Sequence, residues 1–216
     1  MKASISKLTQ SIHAGSYGDP QFGGIVSPIY PSAAIDYDAD VKYPRYFNTP
    51  NHQAVAEKIA ALENAEAGIV FSSGMAAIMT SILTVVKTGE HAIFQNDLYG
   101  GTHHAVMNDL KNHGVDFTVV DASDPENFRK AIKKNTKLIY IETPSNPLLK
   151  VTDIAAVAAI AKANNVLTMI DNTFASPVNQ NPVDLGIGIV AHSGTKYIGG
   201  HSDICCGVVE IGRAHV

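Results

Sequence analysis

From Asn51 onward the chain alternates two kinds of stretch. Short apolar runs of strand length recur at Gly68–Phe71, His91–Phe94, Val115–Val120, Leu138–Ile141, Val166–Ile170 and Ile187–Val190. Between them lie stretches whose apolar residues return at helical spacing: Val55, Ile59 and Leu62; Met75, Ile78, Met79 and Ile82; Ile154, Val157, Ile160 and Ala161. A strand with one wet face reads apolar-polar-apolar, whereas most of these runs place apolar residues at consecutive positions. They therefore need cover on both faces, which predicts an α/β fold: a mostly parallel sheet with helices on both faces. Boundary signals support the pattern. Asn51 is placed to cap a helix over 51–63 and Thr152 the helix carrying Ile154. Asp124-Pro125 opens a third helix, and Gly114 stops one over 101–112.

The strand runs end in chemistry. Ser73-Gly74-Met75, Asp97 to Gly101, Glu142 to Pro147, Asp171-Asn172-Thr173 and Ser193 to Lys196 each follow a strand. In a parallel sheet these ends share one edge, where ligands of such folds bind. A lysine buried at a strand end is held neutral by desolvation and becomes a nucleophile able to form a Schiff base. Ser193 and Thr195 flank Lys196 with hydroxyls suited to phosphate, and glycines 194, 199 and 200 let a ligand approach. An aldehyde plus a phosphate suggests pyridoxal 5′-phosphate (PLP). Asp171 suits a pyridinium nitrogen, Tyr99 the face of a ring, Asn146 a phenolic oxygen, and the bare N–H groups near Gly74 an anion. Each residue has a plainer reading: a snorkelling surface lysine, a turn aspartate, a core tyrosine, a turn asparagine. Five strand ends together favour the ligand.

Composition narrows the alternatives. A net charge of −4 offers no basic footprint for nucleic acid. No run is apolar enough to span a bilayer and no signal-peptide pattern opens the chain, so a cytoplasmic protein is expected. The adjacent Cys205 and Cys206, and the His103-His104 pair, lack metal-ligand spacing, so no metal is assigned. Residues 1–50 hold five prolines and no sustained periodicity, yet carry Phe22, Ile25, Val26, Ile29 and Tyr30. They are read as an extended N-terminal arm packed on a neighbouring subunit. Within the arm, Tyr43 and Arg45 make a candidate phosphate clamp.

These motifs, in this order, resemble the PLP-dependent enzymes of cysteine and methionine metabolism over nearly the whole chain. The group includes cystathionine γ-synthase, cystathionine γ-lyase and β-lyase, methionine γ-lyase and O-acetylhomoserine sulfhydrylase. The resemblance implies the type I aspartate-aminotransferase-like fold, usually a tetramer of two active-site dimers, acting on an amino-acid substrate. It implies that Lys196 carries PLP and moves protons, Asp171 holds the pyridinium, and Tyr99 stacks on the ring and assists as acid or base. Asn146 contacts the ring oxygen and Thr173 sits near the ring. Ser193, Thr195 and the backbone of Gly74 and Met75 bind phosphate, and Tyr43 and Arg45 reach the phosphate of the neighbouring subunit.

Departures bear on which member this is. Tyr43-Pro44-Arg45 stands for the usual Tyr-Ser-Arg, Gly188 for an aspartate, and His104 for an arginine. Gly100-Gly101 disfavours methionine γ-lyase, which has cysteine at position 101. Cystathionine γ-synthase is preferred, with cystathionine γ-lyase and a same-fold aminotransferase as alternatives. Members of the family run to nearly twice this length. Residues 51–210 are therefore read as an incomplete PLP-binding large domain, with the small C-terminal domain absent and the chain without turnover of its own. Residues 211–216, Ile-Gly-Arg-Ala-His-Val, match one reading frame of a common sequencing-adapter oligonucleotide and are read as non-native.

Overall fold

The structure, a computed structural model, describes residues 5–38 and 43–212. The arm's residues 1–4 and 39–42, and residues 213–216 of the tail, lie outside the described residues. Seven strands form one sheet: β1 (Ala67–Phe71), β2 (His91–Gln95), β3 (Asp116–Val120), β4 (Thr136–Glu142), β5 (Leu167–Asp171), β6 (Ile189–Ser193) and β7 (Gly207–Ile211). Their order is β1-β7-β6-β5-β4-β2-β3. All pairs are parallel except those made by β7, which runs antiparallel between β1 and β6. The other six strands thus point the same way and deliver their carboxyl ends to one edge.

Both faces are covered, as the apolar runs require. On one face α3 (Gly74–Val85) and the helix after β2 pack over Phe94, Leu138, Met169 and Ala191. On the other, α6 (Glu126–Ala131) and α7 (Ile154–Ala163) cover Ile93, Ile139, Ile170 and Val190. Alternate residues of each strand feed the two cores. α2 (Pro50–Glu63) lies against β1 and β7. The helix after β2 is α4 (Gly100–His104) passing through a π-helical turn (Ala105–Asp109) into α5 (Leu110–Asn112). No described helix is long and apolar enough to cross a membrane.

Two caps differ from expectation. α2 starts one residue earlier, with Thr49 at the N-cap and Pro50 in the first turn. Asn51 turns outward instead and ties down the arm, donating to Tyr17 Oη and the Pro28 carbonyl and accepting from Tyr30 N at 2.9 Å each. At α7 the cap is Asp153, which accepts from Ala156 N at 2.9 Å. Thr152 is buried, and its amide donates to Thr143 Oγ1 at 3.0 Å. Asp153 caps through its side chain whereas Thr49 makes no such bond, and in each case tertiary contacts claim the residue that local sequence favours.

The arm is less irregular than its composition suggests. Lys7–His13 form α1, capped by Ser6 and moored to α2 by Lys58, whose ammonium donates to the Ser11 and Ile12 carbonyls at 2.9 Å. Beyond α1, Phe22, Ile25, Val26 and Ile29 are 81–90% exposed. Ile211 belongs to β7, paired with Ala67 and Ile189.

Candidate active site

The carboxyl ends of β1, β2, β4, β5 and β6 meet at a cavity of about 230 Å³ lined by Ser73, Gly74, Met75, Tyr99, Glu142, Asn146, Asp171, Thr173, Ser193, Thr195 and Lys196. Ile78, Pro144, Phe174 and Cys205 complete the lining. Asp171, at the end of β5, and Lys196, in the turn after the adjacent β6, share this one space. Nine of the eleven residues singled out from the sequence come together here. The other two, Tyr43 and Arg45, are not in the lining. They engage each other, with Arg45 donating to the Tyr43 hydroxyl and its guanidinium 5.2 Å from that ring.

One end of the cavity is the start of α3. Ser73 caps it, its Oγ accepting from Ala76 N at 3.1 Å, and the amides of Gly74 and Met75 in the first turn have no intrahelical acceptor. Gly74 must be glycine: a Cβ there would lie 2.7 Å from Ser193 Cβ and 2.9 Å from its Cα. The helix start is thereby pressed against the end of β6, where the Ser193 and Thr195 side chains stand. Two other glycines serve differently from expectation. A Cβ on Gly194 would fall 2.4 Å from Cys206 Sγ, and one on Gly199 2.8 Å from Ile204. They admit the returning chain rather than a ligand. Thr195 is tied to the same segment, its Oγ1 accepting from Cys206 N at 3.1 Å.

Asp171 stands at the other end and is 6% exposed. Its Oδ1 accepts from Thr173 N at 3.0 Å and Thr173 Oγ1 at 2.5 Å, and no described residue donates to Oδ2. Burial raises its pKa, while the Thr173 hydrogen bonds and nearby His192 oppose the rise. The carboxylate is oriented through one oxygen and offers the other.

Glu142 was legible as a strand-end acid but carries more than that reading gave it. It is buried beside Asp171, its strand neighbour, and accepts from Tyr99 N at 2.8 Å through Oε2 and from Asn146 N at 2.7 Å through Oε1. One carboxylate thus sets the approach of two cavity-lining loops. Burial first, then the Asp171 charge, push its pKa up to about 7. The signal in the sequence was its place four residues before Asn146 at the end of an apolar run.

Lys196 departs from its expected environment. It lines the cavity but is exposed rather than buried. Among the described residues no group of three or more His, Cys, Asp or Glu side chains is placed to hold a metal.

Comparison with known proteins bears on what such a cavity serves. The family model for Cys/Met metabolism PLP-dependent enzymes matches residues 8–215. The chain belongs to that family. Among curated relatives, a probable cystathionine γ-synthase of Herpetosiphon aurantiacus is 42% identical over 93% of this chain and 64% of its own length. The cystathionine γ-lyase of Bacillus subtilis is 44% identical over 95% of this chain and 55% of its own. The solved structure of metB from Corynebacterium glutamicum superposes with a TM-score of 0.93 at 44% identity, covering 97% of this chain and 56% of that one. The chain spans about half to two thirds of the length of the relatives it matches. Its architecture matches that of the family's solved structures, as the alternation of strands and helices implied. Relatives carry cystathionine γ-synthase, γ-lyase and β-lyase names alike.

The residues present fit the family's cofactor. A helix start narrowed by Gly74 suits a phosphate. An aspartate with one fixed and one open oxygen suits a pyridinium N–H. A primary amine lies in the same cavity.

Proposed function

We propose that this chain is the cofactor-binding part of a PLP-dependent trans-sulfuration enzyme, most closely a cystathionine γ-synthase that replaces a γ-substituent of an activated homoserine with a thiol. The observation that carries it is the convergence of five strand ends, Lys196 and Asp171 among them, on one cavity. When bound, PLP supplies an electron sink for negative charge developed on an amino-acid substrate. Lys196 Nζ is the nucleophile that would hold the cofactor and the base that moves the substrate's α-proton. Asp171 Oδ2 accepts from the ring N–H, and Thr173 keeps Oδ1 in place. The Gly74 and Met75 amides, with the Ser193 and Thr195 hydroxyls, take the phosphate. Asn146 contacts the ring oxygen, and Tyr99 lies against the ring with its phenol available as acid or base.

Tyr43 and Arg45 are assigned to the cavity of a second copy, in a dimer that pairs into a tetramer. Their position outside this chain's lining and the exposed apolar arm support that assignment. The same division treats residues 1–50 as an inter-subunit arm and 51–210 as an incomplete large domain. The rest of that domain and the substrate-gripping small domain belong to a longer parent. We place the enzyme in the cytoplasm.

Cystathionine γ-lyase is the second reading, because the residues in hand serve γ-elimination equally. Assay of the parent enzyme separates the two: cystathionine formed from O-succinylhomoserine and cysteine supports the synthase, and keto acid released from cystathionine alone supports the lyase. A half-reaction with keto acids as the only activity would point to an aminotransferase instead. The purified 216-residue chain should bind PLP with negligible turnover, and measurable turnover would overturn its reading as incomplete.

A further inference from the structure

Behind the cavity, on the reverse face of the sheet, lies a buried polar cluster that the proposed chemistry does not use. Glu63 closes α2 and is fully buried. Its Oε1 accepts from Asn172 Nδ2 and from His192 Nε2, each at 2.7 Å, and its Oε2 accepts from Asn181 Nδ2 at 3.2 Å. Asn172 follows Asp171, and His192 precedes Ser193. Successive strand residues face opposite sides, so each partner of Glu63 is the reverse-side neighbour of a residue that faces the cavity. Gln180 closes the network, donating to Asn172 Oδ1 at 2.8 Å and to the Thr143 carbonyl at 3.0 Å. A buried carboxylate costs free energy unless well paired, and here one carboxylate ties the ends of two strands to a helix.

We propose that Glu63 is a positioning residue: from the far side of the sheet it fixes the backbone that presents Asp171 and the Ser193–Lys196 loop to the cofactor. This rests on the PLP reading, and the test separates the two. Glu63→Ala and Glu63→Gln are made in the 216-residue chain. The glutamine keeps an acceptor for Asn172 and His192 if the variant with alanine does not fold. Without any cofactor, amide hydrogen exchange should rise roughly tenfold or more at Asn172, bonded to the Ala191 carbonyl, and at Ser193, bonded to Thr173 Oγ1. Exchange along β2 should be unchanged. PLP affinity, titrated by absorbance, should fall roughly ten- to hundredfold in Glu63→Ala and less in Glu63→Gln, as with other supporting contacts behind a site. Loosening spread evenly over the sheet would mean a merely structural role and overturn the proposal, as would affinity within twofold of the parent chain. Absence of PLP binding in the unaltered chain would sink the cofactor reading, while the exchange data would still decide the role of Glu63.

Discussion

At the scale of the residue, the cavity holds two neighbouring acids with different tasks. Asp171 keeps Oδ2 open toward the cavity, whereas both oxygens of Glu142 are engaged by backbone amides. Asp171→Asn should therefore weaken PLP binding roughly tenfold or more, because an amide cannot stabilise a pyridinium as a carboxylate does; an unchanged absorbance titration would exclude that role. Lys196→Ala should leave no PLP attached after borohydride reduction, read by mass spectrometry. Glu142 makes a pH prediction. Its folded pKa of about 7 lies above the usual value, so the folded state binds the proton more tightly. Its contribution is fully present below pH 4.5 and is lost as pH rises through about 7, by roughly 3 kcal/mol. Glu142→Gln should flatten the fall of stability with pH across that window, measured by urea unfolding against the parent chain. An identical pH slope would refute this. The sequence showed both acids at strand ends, but only packing distinguished them.

At the scale of the element, the start of α3 is the part most exposed to small changes. Ser73→Ala removes one cap hydrogen bond and should cost about 1 kcal/mol, or roughly 2–4 °C in melting temperature for a chain of this size. Gly74→Ala should be worse for the ligand than for the fold. The added Cβ would stand 2.7 Å from Ser193 and force the helix start off β6, widening the cavity where a phosphate would sit. PLP affinity should fall further in Gly74→Ala than in Ser73→Ala, by equilibrium titration; equal losses would show that the close approach is unimportant. Elements with strong periodicity, α3 and α7 among them, were legible from the chain alone. Their exact starts were not, because Thr49 and Asp153 compete with Asn51 and Thr152 as caps, and tertiary partners decide between such neighbours.

At the scale of the whole molecule, the arm exposes Phe22, Ile25, Val26 and Ile29 on a chain whose sheet is otherwise well covered. If a second copy covers them, the chain should sediment as a dimer or larger at micromolar concentration. A variant lacking residues 1–38 should then shift toward monomer with its circular dichroism essentially retained. An intact chain that is monomeric under these conditions would refute the dimer assignment for the arm.

The alternation of strands and helices from Asn51 to Val190, the two-faced burial of the sheet and the gathering of polar residues at one edge were determined by the sequence, because apolar period is a local property; the antiparallel β7 between β1 and β6 was decided by tertiary pairing. Tertiary structure alone decided that Lys196 is exposed, that Gly194 and Gly199 make room for the chain's own return, and that Glu63 reaches under two strand ends more than a hundred residues away. Those facts depend on which surfaces meet after the chain has crossed the sheet, and no spacing along the sequence encodes that meeting directly.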